Sequence, residues 1–284
     1  FSFRAYKLLL YQYFDIIKFS MNMALYFPQL IFYYIAITTF CICGQTTEYP
    51  PKCTICLQVL TGDYYMDAWK NPFHIHHENE GIFCNSCSRI ISQGITHGGY
   101  RYNDGRHICS LCQISVVKDD SSIYAAYSHV ITLFKTIGIN NIPSKIPIEL
   151  INLIELNNKI GSHSYGNLKG FTHTDHDHKK QPLYTIFMLF GLPKIEFEGA
   201  LAHELMHVWL YENYPNLQIE TTEGLCNLGS AFIYKNDGTH FSKIHLQAME
   251  NDPHTIYGNG YRKMKALLKK SNWSTLLSNL NSIE

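Results

Sequence analysis

His203 and His207 stand four residues apart, with Glu204 directly after the first, in the run ALAHELMHVWL (residues 200–210). In an α-helix, positions i and i+4 lie one above the other, so both imidazoles can face one metal ion. Glu204 is then rotated about 100° from His203, beside the ion, where a general base for an attacking water belongs. Leu201, Ala202, Leu205, Met206, Val208, Trp209 and Leu210 surround these polar groups with apolar side chains. A helix burying two His and one Glu in such a setting must give them partners, because unpaired polar groups are costly to desolvate. Asn213-Tyr214-Pro215-Asn216 is expected to end the helix, since Pro cannot continue one.

An open catalytic zinc needs a third protein ligand. The stretch IETTEGLCNLGSAFIYKNDG (residues 219–238) reads as a second helix, capped by Thr221 or Thr222 and closed at Asn236-Asp237-Gly238. A turn through Pro215 would return it antiparallel to the first and aim Glu223, in its first turn, at the ion. Glu220 is the competitor, expected just ahead of the helix. Two His and one Glu complete a hydrolytic set in which zinc activates water and polarises a carbonyl while Glu204 moves the proton. His254 and Tyr257 are candidate donors to the resulting oxyanion. Cys226 reads as a core residue.

Upstream, Cys53-x2-Cys56, His74-x2-His77, Cys84-x2-Cys87 and Cys109-x2-Cys112 form four pairs of the same x2 spacing. An x2 spacing lets one tight turn offer two donors to a tetrahedral ion, and two such turns close the site. The simplest pairing gives one zinc to Cys53, Cys56, His74 and His77, and a second to Cys84, Cys87, Cys109 and Cys112; His76 breaks the pattern. Neither site keeps an open position, so both are expected to be structural. A framework of three disulfides is the rival reading. The layout resembles a LIM domain, with His77 in place of a usual cysteine and a longer link between the halves, so it is LIM-like.

The elements around these motifs are less sharply written. Ile146 to Asn158 suggests a short strand followed by a polar turn. Asn167 to Lys180, with His173, Asp175, His176, Asp177 and His178, reads as a solvated loop. Leu183 to Pro193 is an apolar strand candidate, bounded by Pro182 and Gly191, that would run beside the cleft and pair with a substrate backbone.

Composition bounds the rest. A hydrophobic share of 46% against 16% charged residues suits a globular chain, and 284 residues allow one sizeable catalytic domain with a small module. Lys+Arg and Asp+Glu are both 23, so no basic excess advertises nucleic acid or an anionic membrane. The chain starts at Phe1, and the charge-free, apolar run Leu30 to Cys43 reads as a secretory signal with Met21 as initiator and a cut near Gln45. An uncleaved membrane anchor is the alternative, and only in that case would the protein meet a membrane. The expected organisation is residues 1–44 as uncertain start plus signal or anchor, 50–115 as the LIM-like module, and 120–284 as the hydrolytic domain.

FGLPKIEFEGALAHELMHVWL, then TTEGLCNL, then IYGNGYR together resemble the C-terminal peptidase of the plant organ-size-regulating "DA-one" family and its bacterial relatives. That family joins a LIM or LIM-like module to such a peptidase in the same order, and the similarity spans roughly residues 50 to 270. The resemblance implies zinc on His203, His207 and Glu223, Glu204 as the catalytic residue, and a protein or peptide substrate. The plant members carry ubiquitin-interacting helices ahead of the LIM domain; no such acidic helix is visible here. The expected fold class is α+β: a small LIM-like double-zinc module followed by a gluzincin-like zinc metallopeptidase domain, holding one catalytic and two structural Zn2+. The competing expectation is a LIM-like protein-binding adaptor on a weakly active or inactive peptidase scaffold.

Overall fold

The four x2 pairs shape the first part of the chain. A computed structural model describes residues 50–79, 81–161 and 168–282. The expected signal or anchor, with Met21, Cys41 and Cys43, lies outside the described residues. Among those described, no helix is long and apolar enough to cross a membrane.

The same knuckle is built twice. Cys53 N–H donates to Gln58 O and Leu57 N–H to Cys53 O; Cys84 N–H donates to Arg89 O and Ser88 N–H to Cys84 O. Leu57 and Ser88 adopt the left-handed conformation that such a turn requires, at φ 65° and 60°. Each knuckle is followed by an antiparallel hairpin, β1 (Tyr64–Met66) with β2 (Pro72–His74), and β3 (Gly99–Arg101) with β4 (His107–Cys109). Two single-turn helices, α1 (Gln93–Thr96) and α2 (Ser110–Gln113), complete the second half. Buried Asp67 joins the halves: its carboxylate accepts from Trp69 N, Asn71 N and Asn71 Nδ2 on one side and from Ile90 N on the other.

The remainder is mixed α/β. Helix α3 (Asp120–Thr136) starts at a capping box between Asp119 and Ser122. The three-stranded sheet has the order β5 (Ile148–Ile151), β7 (Pro182–Leu189), β6 (Gly170–His176). Strand β7 is central, parallel to β5 and antiparallel to β6, in register Thr172↔Ile186 and Gly170↔Met188. Helix α4 (Leu153–Ile160) follows β5, and α5 (Lys194–Asn213), α6 (Ile219–Asp237), α7 (His240–Glu250), α8 (Tyr257–Lys270) and α9 (Trp273–Ser278) close the chain.

Three expectations are corrected here. The polar turn after β5 is helix α4, because Asn152 and Glu155 form a reciprocal capping box and Leu156 turns into the core. The stretch taken as a loop before Lys180 is strand β6 up to His176, polar because it is an edge strand with one row of side chains toward solvent. Strand β7 is already paired on both sides, so among the described residues the outer strands of the sheet are β5 and β6.

Lys52–Glu284 form one compact unit, and the module's exit is stitched to the segment that starts α5. Val116 bridges Pro193, Val117 N donates to Leu192 O, and Lys194 N donates to Ser115 O. Arg106 Nη2 donates to Phe190 O at 2.7 Å, while Asp104 accepts from Leu153 N at 3.0 Å. Helix α5 is buried around most of its circumference, which fits its apolar composition.

Candidate metal centre

Helix α5 presents His203 and His207 with their Nε2 atoms 3.1 Å apart. Helix α6 runs antiparallel to it: Ser230 Oγ donates to Gly199 O at one end, and Glu223 reaches the two histidines at the other. Glu223 Oε2 lies 3.2 Å from His203 Nε2 and 3.6 Å from His207 Nε2. Nitrogen or oxygen donors at 2.0–2.1 Å from a tetrahedral ion would stand about 3.3 Å from each other. The three observed separations bracket that value.

The start of α6 differs from expectation. It begins at Ile219 with Gln218 in the cap position and no side-chain cap, so Glu223 sits in the second turn and Glu220 in the first. The entry is exposed at Gln218 and Ile219, so water can meet the first N–H groups, and Glu220 complements the helix dipole. Thr221 is buried and caps nothing. Glu220 therefore lies on the helix rather than ahead of it.

The electrostatics favour a cation among these groups. Burial would lower the His203 pKa, but the Glu223 carboxylate 3.2 Å away, with Glu204 and Asn227 beside it, outweighs that and raises it. Burial and the neighbouring His203 lower that of His207. Burial alone would raise Glu223, yet His203 and His207, and more distantly His254, hold it below its ordinary value. Glu223 is about nine-tenths buried, and its Oε2 has no hydrogen-bond partner of good geometry although it faces two ring nitrogens. That orphaned oxygen between two imidazoles is what a divalent ion with nitrogen and oxygen donors would satisfy. Zinc fits the residues present.

Residues not singled out in the sequence hold this arrangement. Asn227 Nδ2 donates to Tyr257 O, which fixes the amide so that Oδ1 accepts from His203 Nδ1 at 3.1 Å. His203 Nε2 is thereby left with its lone pair toward Glu223. Glu204 is buried, and its Oε2 accepts from Thr172 Oγ1 of β6 at 2.7 Å. Gly170 makes room for it: a Cβ there would lie 2.8 Å from Glu204 Cγ and Oε1. At the outer end of α5, buried Glu196 meets Lys169 Nζ at 2.6 Å, tying the start of β6 to the helix.

Tyr257 is placed for a different reason from the one its glycine neighbours suggest. It opens α8, and Gly260 of that helix faces Gly224 of α6. His254 Nδ1 accepts from both Ile256 N and Tyr257 N at 3.2 Å, so Nε2 carries the ring proton. Cys226 is in the core as expected, with its thiol pushed well above the ordinary range by burial. Its Sγ and the ligand nitrogens of His203 and His207 also lie within 4.8 Å of one another.

The two module sets are each gathered as paired in the sequence. The donor atoms of Cys53, Cys56, His74 and His77 lie within 4.8 Å of one another, as do those of Cys84, Cys87, Cys109 and Cys112. The Cys87–Cys109 sulfurs are 3.7 Å apart, close to the roughly 3.8 Å edge of a zinc-thiolate tetrahedron and far from a disulfide bond of about 2 Å. All described cysteines are free. Burial opposes ionisation of Cys53, but backbone N–H groups of Cys56, His74 and Ile55 bring its pKa down to about 6. The Cys112 hydrogen bond holds Cys109 down, and the same contact pushes Cys112 up. Among the described residues, His76 joins neither set, and His173, Asp175, His176, Asp177 and His178 gather no metal-holding group on β6 and its turn.

Residues 149–235, from β5 through nearly all of α6, match the family model described as DA1-like (Protein DA1). The chain is similar to the rice (Oryza sativa subsp. japonica) "LIM domain-containing protein HDR3", 26% identical over 223 residues, 63% of this chain and 43% of that protein. It is 23% identical over 295 residues to Arabidopsis thaliana "Protein DA1-related 1", covering 78% of this chain and 53% of the relative. With Arabidopsis thaliana "Protein DA1" it shares 23% identity over 222 residues, 64% and 41% of the two chains. The chain thus spans about half the length of the curated relatives it matches. No solved structure matches it.

Proposed function

We propose that this protein is a zinc-dependent metallopeptidase of gluzincin-like type, acting on protein or peptide substrates. The observation that carries the reading is Glu223 Oε2 at 3.2 and 3.6 Å from His203 and His207 Nε2, with Glu204 on the same helix beside them. His203, His207 and Glu223 would hold the ion. Bound there, zinc supplies Lewis acidity, polarising a carbonyl and making water a nucleophile near neutral pH.

The protein's own residues do the rest. Glu204 accepts the proton of the attacking water and returns it to the leaving amine. Thr172 anchors one oxygen of that carboxylate and leaves the other for the proton. The outer edge of β6, which pairs with no further strand among the described residues and whose Thr172 meets Glu204, suits an extended peptide added as a further strand. His254 Nε2–H is the candidate donor to the developing oxyanion, since its Nδ1 is committed to the backbone.

The LIM-like module, residues 50–115, would hold two structural zincs and offer a protein-binding face. That second role is favoured by apolar side chains left exposed on its first half: Leu57, Val59, Met66, Ile75 and Ile82. Cleavage of a denatured protein substrate, with and without a zinc chelator, tests the reading. Turnover that a chelator abolishes and added zinc restores supports it; an intact, fully metallated chain that cleaves nothing favours the adaptor.

A further inference from the structure

Helix α5 and strand β6 touch at two heights. Near the metal-ligating histidines Glu204 meets Thr172, and further along the Tyr211 hydroxyl lies 3.4 Å from His176 Nε2. Tyr211 stands four residues after His207 and seven after Glu204, so it continues the same face of α5 about 10 Å beyond the proposed base. Thr172, Thr174 and His176 alternate onto one face of β6, and Tyr184, the register partner of Thr174, shares it. The Tyr184 ring packs edge-on against Tyr211, with centroids 6.0 Å apart, and its hydroxyl donates to Glu212 Oε1 at 2.7 Å. Tyr211 is held at its ring and at its hydroxyl, yet it remains 41% exposed.

Resting on the peptidase reading above, we propose that Tyr211, with Glu212 beside it, forms a subsite that selects a basic side chain, Lys or Arg, on the amino side of the cleaved bond. A peptide added to the outer edge of β6 turns every second side chain to the α5 face, as β6 itself does. About three to four extended residues cover the distance from Glu204 to Tyr211. In the antiparallel pairing, the more stable of the two, the residue that reaches Tyr211 precedes the bond beside Glu204. A cation suits this end of the contact, because the face of a tyrosine ring attracts one and the Glu212 carboxylate adds an opposite charge. An acidic side chain would meet Glu212 as a like charge, and an apolar one would gain the ring alone. Both contributions are modest at a solvated rim, so a preference of roughly three- to tenfold in kcat/KM is expected.

Peptides identical except for Lys, Arg, Leu or Glu at each of the four positions before the bond test it, with the zinc-loaded full chain and cleavage sites read by mass spectrometry. The parent should favour Lys and Arg over Leu at one of those positions by roughly three- to tenfold, and disfavour Glu. Tyr211→Ala should bring the ratio of Lys to Leu close to one, and Glu212→Gln should lower it. Tyr211→Phe, which keeps the ring, should preserve most of it. Cleavage without a basic preference before the bond, or with one that Tyr211→Ala leaves intact, overturns the subsite and leaves the peptidase reading standing. The same peptides, fluorescently labelled and bound to Glu204→Gln, give the ratio as dissociation constants without turnover. A ratio there that falls when Tyr211→Ala is added supports the subsite even where the parent cleaves none of the peptides. A chain that neither binds nor cleaves them overturns the subsite together with the reading it rests on.

Discussion

Gly224 of α6 and Gly260 of α8 meet backbone to backbone: a methyl group on Gly224 would lie 2.4 Å from the Gly260 carbonyl oxygen. A methyl on Gly260 would in turn lie 2.3 Å from Glu220 O. The EGLCN and YGNGY stretches are thus two sides of one helix crossing. It sets the height of Glu223 and brings Tyr257 O to Asn227. Gly224→Ala forces these helices apart, an overpacking cost of roughly 1–3 kcal/mol. Thermal unfolding should shift down, and the ion at His203 and His207 should exchange faster than in the parent chain. An unchanged melting temperature would contradict the crossing.

Asn227 acts through His203 rather than on the ion. Asn227→Ala frees the imidazole to rotate, and loss of such a supporting hydrogen bond lowers metal affinity by roughly 10–100-fold. Chelator competition measures it, with the two module ions as internal controls. Glu223→Ala should weaken the same ion at least as much. Glu220→Ala, in the first turn of α6, should leave it in place. Equal effects from Glu220 and Glu223 would move the ligand.

The module is stitched to the segment that starts α5, and its two halves should differ. Cys84 and Cys109 belong to the buried second set, whose chain leads through Ser115 and Val117 to Leu192 and Lys194. Cys84→Ser is expected to cost the second module zinc and, by loosening that junction, the ion on α5 as well. Cys56, exposed in the first set, should cost only its own ion when replaced by Ser. Native mass spectrometry counts the ions. Loss of a single ion from both variants would show that the halves and α5 are independent.

Acid should act on the same junction through Asp104. Burial opposes its ionisation, but the hydrogen bonds from Arg106 and Leu153 N outweigh it and hold the pKa below its ordinary value. A depressed folded-state pKa gives stability that is fully present above the unfolded value, near 3.9, and is lost as pH falls through the folded one. Asp104→Asn should therefore be less stable than the parent at neutral pH, on the order of 1–3 kcal/mol. The gap should close below about pH 4 in urea titrations. A gap that persists undiminished in acid would assign the effect to shape rather than charge.

What could be read from the residues alone is what one turn or one knuckle writes locally. The i, i+4 histidines, the x2 pairs and the apolar run of β7 are of this kind. Strand β6 was illegible because its polar residues look like a loop until β7 supplies its register. Helix α4 carried its capping box in plain view at Asn152 and Glu155, but its short apolar stripe reads equally as a strand end. The start of α6 has no side-chain cap to announce it. Asp67, Asp104, Thr172 and Asn227 act on partners far along the chain, such as Thr172 on Glu204, so no local spacing marks them.

The most direct measurement is made on Glu204→Gln. The substitution keeps the side chain's shape and its contact with Thr172 while removing the basic oxygen. Native mass spectrometry is expected to find three zinc ions in both the parent and the variant. Turnover of a protein substrate should fall by roughly 10²-fold or more in the variant, as loss of a general base requires. A variant that keeps its zinc and cleaves as fast as the parent would contradict Glu204 as the base, and with it the proposed chemistry of this centre.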